Sequence, residues 1–350
     1  MRSRATIVKV SVDWPARHQA WSDLRATRYH PPGLASADSE RRRVYIAALQ
    51  QAEEMFLAAS EVGYASKPLL AFYGLSQAGR AIAAAHGYAR EEAWQLSGHG
   101  LTHGGLKQPL PDIAIFQPPN SEAASFIRLS SMLNSPSLPV KKQSRARVSF
   151  NDLWDTLPEA AARPLRMGKD RRPALKFSYL DTGERHPLAS GILCGIPPSV
   201  PDSATPRQAF DDFMKAYPTA SGYDLVRAGA DTDAPAYQSG SPICLQMHWR
   251  AGLEQATAVQ REQRVAKVMT SYNGSLYLLP AVGGNDRPLH PLMAWWAVLY
   301  ILSMLARYQP AEWVSHTNVD SGRYAVALEQ LLTDALVTVP RLIYETIRAC

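Results

Sequence analysis

Apolar and polar residues follow three textures along the chain. Between residues 38 and 61, Val44, Ala47, Ala48, Met55, Ala58 and Ala59 recur at three- and four-residue spacing, and Tyr45, Leu49, Ala52 and Phe56 widen the stripe. That period predicts a helix with more than one neighbour. Gly63 is expected to end it. A second helix is expected from Ser66, a fitting N-cap, to His86, with Pro68 in the first turn where its missing N–H costs nothing. Gly87 stands where a left-handed residue would close this helix. Its small residues, among them Ala71, Gly74, Ala78 and Ala81, let another helix come close. Two helices joined by so short a turn make an antiparallel hairpin.

From residue 107 to about 285 the texture changes. Short apolar runs at 113–117, 125–129, 174–180, 243–249 and 275–279 are separated by Pro/Gly clusters. Several alternate as strands with one wet face do. Short helices are expected at 154–162 and 207–216. Helix returns at 291–307, apolar all round and stopped by Tyr308-Gln309-Pro310, and again at 320–339, with 341–349 as its continuation after Pro340. The first 35 residues, punctuated by Trp14-Pro15 and Pro31-Pro32-Gly33, read as irregular.

This layout predicts an α+β protein. A helical part at 1–106 and another at 286–350 form one bundle, and the strand-rich middle, 107–285, is an insertion. A single bundle is preferred to successive domains because a helix apolar on every side needs several helical neighbours.

Composition narrows the class. The chain has 350 residues, 46% hydrophobic and 19% charged, which suits a folded protein with a large core. The most apolar run, 291–306, is 16 residues long. That is short of the roughly 20 that span a bilayer, so a buried core helix and no membrane partner are expected. The N-terminal residues lack the apolar core of a signal peptide. Cys194, Cys244 and Cys350 are few and far apart, with no CxxC. They predict neither a zinc site nor a disulfide framework, and they fit a reducing, cytoplasmic setting. Cys244, inside an apolar run, reads as inert core. No GK[ST], GxGxxG or GxSxG occurs, so no cofactor and no serine nucleophile are expected.

Charge points to a partner. Residues 141–176 hold ten Lys/Arg against four Asp/Glu, a local excess as large as the +6 of the whole chain. Lys141, Lys142, Arg145, Arg147, Arg171 and Arg172 are candidate contacts to the phosphates of RNA or DNA. The alternative is a solvated loop.

Four residues are candidates for chemistry: Arg80, His86, His99 and Arg307. The Arg80–His86 spacing resembles that of HEPN ribonucleases, helical domains with an Arg and a His at a helix end. A histidine can move protons at a ribose 2′-OH, and an arginine can stabilise phosphate charge. Six residues turn a helix through about 600°, so the two side chains point about 120° apart and converge only if the helix ends there. HEPN motifs usually carry a polar residue after the Arg, and here it is Ala81. The alternative is a histidine interacting with the helix C-terminal dipole. His99 and His103 lie four apart, but Gly98, Gly100, Gly104 and Gly105 argue for a loop, and no metal site is expected. Arg307 closes the apolar helix, where the dipole favours a cation. A functional role would put it at the mouth of the bundle, beside the end of the Arg80 helix.

The segments "KPLLAFYGLSQAGRAI" (67–82), "SGHGL" (97–101), "DLWDTLPE" (152–159) and "HPLMAWWAVLYILSMLARYQPAEW" (290–313) together resemble the YaaC-like family of bacterial proteins. The resemblance implies a bacterial, soluble, intracellular protein. It carries over no catalytic residue, because the family has no established activity. The expectation is a protein that binds nucleic acid or a protein partner, including a second copy of itself. The alternative is a HEPN-like ribonuclease acting as a toxin or antiviral defence effector.

Overall fold

A computed structural model describes residues 14–86, 94–168, 170–180, 186–238, 240–251 and 255–350. Gly87 lies outside them. The N-terminal helices are α1 (Trp14–Tyr29), α2 (Ser39–Glu61) and α3 (Lys67–Ala85). The irregular N-terminus expected from the prolines is therefore partly helical. Trp14-Pro15 opens α1, a position proline tolerates, and buried Trp21 and Leu24 fix the helix to the core.

The hairpin of α2 and α3 is closed by two buried cations. Lys67 Nζ donates to the Ala59 carbonyl at 2.7 Å, near the end of α2. Arg41 donates to the Ala84 and His86 carbonyls at 3.3 and 3.2 Å, at the end of α3. Its guanidinium also lies 5.1 Å from the Trp94 ring centre. The last carbonyls of a helix have no partner within the helix and carry partial negative charge, so a buried cation satisfies both demands.

The C-terminal helices are α8 (Pro291–Tyr308), α9 (Pro310–Thr317) and α10 (Ala325–Arg348). Every residue of α8 from Pro291 to Ala306 is buried. It is the one described helix long and apolar enough to cross a membrane, and 83% of it is buried within the fold. Its neighbour α3 meets it through Gly79, where a Cβ would fall 2.7 Å from the Trp296 ring. On the other face of α3, a Cβ on Gly74 would fall 2.7 Å from the Phe56 ring of α2. The small residues of α3 thus let two aromatic rings pack against its backbone.

Pro340 lies inside α10, which continues past it. Proline costs a hydrogen bond there. Leu336, Val339, Ile343 and Ile347 are buried on both sides of it, and their shared burial keeps the helix continuous.

The middle contains two antiparallel sheets. The smaller has β1 (Thr102–His103), β2 (Ala114–Phe116) and β3 (Val148–Ser149), in that order. Beside it are α4 (Ser125–Met132) and α5 (Phe150–Asp155). The run 125–129 was expected as a strand and is helical. Phe126, Leu129 and Ser130 are buried at helical spacing, a period that a five-residue apolar run cannot display.

The larger sheet has seven strands: β4 (Leu175–Leu180), β5 (Leu188–Ile196), β6 (Tyr223–Leu225), β7 (Tyr237–Gln238), β8 (Ile243–Arg250), β9 (Thr270–Tyr272) and β10 (Ser275–Leu278). They run in the order β6-β8-β5-β4-β10-β9, and β7 also pairs with β8. Helices α6 (Pro206–Met214) and α7 (Ala258–Ala266) pack with it. Two buried cores result. One joins the helices and the small sheet. The other belongs to the large sheet.

Cys194 on β5 faces Cys244 on β8 in the ladder, their Cα atoms 4.1 Å apart, and the two form a disulfide. This corrects the expectation of no disulfide and of an inert Cys244. Fifty residues separate the cysteines in sequence, and the pairing of β5 with β8 brings them together. Cysteine spacing therefore no longer argues for a reducing setting.

Buried polar groups tie strands of the large sheet to the helices. Glu159 accepts from Tyr272 of β9 and Thr338 of α10, each at 2.7 Å. Tyr272 in turn accepts from Trp295 Nε1 of α8 at 2.8 Å. Burial raises the Glu159 pKa. Asp155 faces Arg171 at 3.5 Å, and burial raises its pKa to about 6 despite that cation.

Candidate functional site

Helices α3 and α8 run antiparallel, since Gly79 meets Trp296 while Tyr73 meets Arg307. Tyr73, Gln77 and Arg80 lie on one face of α3, at positions i, i+4 and i+7. Arg80 donates to the Gln77 side chain at 3.2 Å, and Arg307 donates to the Tyr73 hydroxyl at 2.8 Å. Among the described residues, neither arginine pairs with a carboxylate.

His99 enters this face from the loop 97–101. That loop is held by hydrogen bonds from Ser125 N to the Ser97 carbonyl and from Phe126 N to the His99 carbonyl. Gly100 has φ +77°, and a Cβ there would lie 2.8 Å from Phe126 N, so only glycine lets the loop seat His99 this closely. The imidazole lies among Phe72, Tyr73 and Tyr300, with ring centres 5.4, 6.3 and 6.2 Å away. Its Nδ1 is buried and has no hydrogen-bond partner. Burial lowers its pKa most, and the charges of Arg307 and Arg80 lower it further. The result is a half-open shelf with an aromatic floor, an imidazole and two arginines that, among the described residues, meet no acid. Such a shelf attracts anions.

A family model for YaaC-like proteins matches residues 17–347. This chain belongs to the YaaC-like family. No curated protein and no solved structure matches it at a significant level.

In this YaaC-like protein, three of the four candidates for chemistry come together and the fourth does not. His86 follows α3 and lines a different cavity, with Met132, His290 and Glu345. Arg80, His99 and Arg307 share the shelf. Tyr73 and Tyr300 were missed from the sequence, although a signal for both was present. "YGLSQAGR" (73–80) and "YILSMLAR" (300–307) share Tyr-x-Leu-Ser-x-x-x-Arg, one on each of the paired helices.

The basic segment divides. Lys141 Nζ donates to the His103 carbonyl at 2.8 Å, which ties this segment to β1, four residues from His99. Four residues span at most about 14 Å, so the segment lies close to the shelf. Lys142, Arg145 and Arg147 are exposed there. Lys141 and Arg147 line a cavity of about 470 Å³ that also includes Asp112. By contrast, Arg171 faces the buried Asp155, and Arg172 lies 5.2 Å from the Phe213 ring centre and donates to the Arg171 carbonyl. Both belong to the join between the cores. Among the described residues, no three His, Cys, Asp or Glu side chains gather as metal ligands do.

Proposed function

We propose that this YaaC-like protein binds nucleic acid. Phosphates would sit on Arg80 and Arg307, a base would lie against the part-exposed Tyr73 ring and His99, and the strand would continue past Lys141, Lys142, Arg145 and Arg147. The observation that carries the reading is the placement of two arginines around His99, neither paired with a carboxylate among the described residues. Guanidinium groups beside an imidazole and a part-exposed tyrosine suit a single strand, whose phosphates and bases are both accessible. A cytoplasmic setting belongs to the same reading.

One observation favours RNA cleavage as a second reading. The lowered pKa of His99 keeps the ring neutral near pH 7, the form that accepts a proton from a ribose hydroxyl. In that HEPN-like reading, His99 rather than His86 partners Arg80, and the protein would act as a toxin or defence effector.

A single experiment separates the two. Labelled single-stranded RNA is titrated with the native protein, the Arg80→Ala/Arg307→Ala variant and His99→Ala across a range of salt, and the RNA is then run on a gel. Binding predicts a steep salt slope that falls by about one for each phosphate contact removed, a loss of at least about tenfold in affinity for the double variant, and intact RNA. RNA cut by the native protein but not by His99→Ala would move the conclusion to cleavage. Binding that ignores salt, with the RNA left intact, would remove both readings.

A further inference from the structure

A second recess, separate from the cationic shelf, opens where the end of α3, the loop after α4, the β9–β10 turn, the start of α8 and the end of α10 meet. Its volume is about 600 Å³, within the range of small-molecule sites. Leu133, Pro291 and Leu342 give it apolar walls, and His290 and Glu345 face it.

His290 is held in one form. Its Nδ1 accepts from the Leu292 amide at 3.2 Å, capping α8. In a neutral imidazole the proton then sits on Nε2, so Nε2–H is what the ring can offer the recess. Burial drives the His290 pKa down to about 4, so this tautomer persists at any physiological pH. Glu345, an exposed residue of α10 that also lines the recess, is an acceptor. It already receives the Asn273 amide and lies near Arg341, and burial raises its pKa.

We propose that this recess binds a small, uncharged, partly apolar molecule bearing both a carbonyl and an N–H, as a lactam or cyclic amide does. The carbonyl accepts from His290 Nε2–H and the N–H donates to the Glu345 carboxylate. An anion would meet that carboxylate. A cation would meet a carboxylate already shared with Asn273 and Arg341. The walls favour a flat hydrocarbon body beside the amide.

The probe is quinolin-2(1H)-one, a fluorescent lactam, and its N-methyl derivative serves as the comparator that lacks the donor. Fluorescence titration of the native full chain should saturate at one equivalent with the lactam, and the N-methyl compound should bind at least tenfold more weakly. Ala349→Trp and Ser271→Trp, at exposed positions on opposite sides of the recess, should each weaken lactam binding at least tenfold with an unchanged circular dichroism spectrum. The absence of saturation, equal affinity for the two lactams, or native-like binding by both folded tryptophan variants would each overturn the proposal. The comparison of the two lactams on the native protein stands even if a variant fails to fold.

Discussion

At the scale of residues, buried charge decides behaviour, and Asp155 is the clearest case. Its pKa is raised to about 6 in the fold from an ordinary value of 3.8. A carboxyl with a raised folded pKa contributes its full stability below the unfolded pKa and loses it as pH rises through the folded one. Two units correspond to roughly 3 kcal/mol. The native protein should therefore lose its stability advantage over Asp155→Asn as pH rises from 4 to 7, and thermal melts of both at each pH would measure this. A difference independent of pH would mean that Arg171 fully offsets the burial. The same scale sets what the sequence could reveal. Arg80, His99 and Arg307 were each recognisable as chemistry-bearing, but nothing local told which of them met. That depended on two helices running antiparallel from distant parts of the chain. His86 had the better spacing and landed elsewhere, because the helix turn separates it from Arg80.

At the scale of elements, α3 and α8 were legible because small residues and an all-round apolar stripe have no other use than close packing. The contact between them is tight at Gly79. A methyl there meets Trp296 at 2.7 Å and Leu129 at 3.2 Å. Overpacking of this kind costs about 1–3 kcal/mol, more than the roughly 1 kcal/mol that alanine gains over glycine in a helix. Gly79→Ala should melt at a lower temperature than the native protein. Gly63→Ala, with nothing within 4 Å of the added carbon, should not. The elements that the sequence concealed were those whose burial comes from partners. α1 hides behind a proline, and α4 is too short for its period to register.

At the scale of the whole molecule, the helical ends and strand-rich middle were visible as changes of texture. The tie between β9 and the helices was not, since Glu159, Tyr272, Trp295 and Thr338 come from four separate stretches of sequence. The Cys194–Cys244 bond was hidden for the same reason. It closes a loop with a sequence separation of 50, and in the chain-entropy account such a bond stabilises by about 2–4 kcal/mol. The native protein should melt at a lower temperature in dithiothreitol than without it, and Cys194→Ser/Cys244→Ser should melt low in both conditions. Equal native melts would show that the bond adds nothing to stability.

The cover over α8 has a consequence for how the chain is made. Gly79 and Trp296 touch across about 200 residues of sequence, and α10 follows α8 in synthesis. A ribosome that has just released α8 holds an apolar rod whose last partner has not yet been translated. Contacts so distant in sequence form slowly. A chain halted between α8 and α10 would then be the species most in need of a chaperone, and the most ready to aggregate.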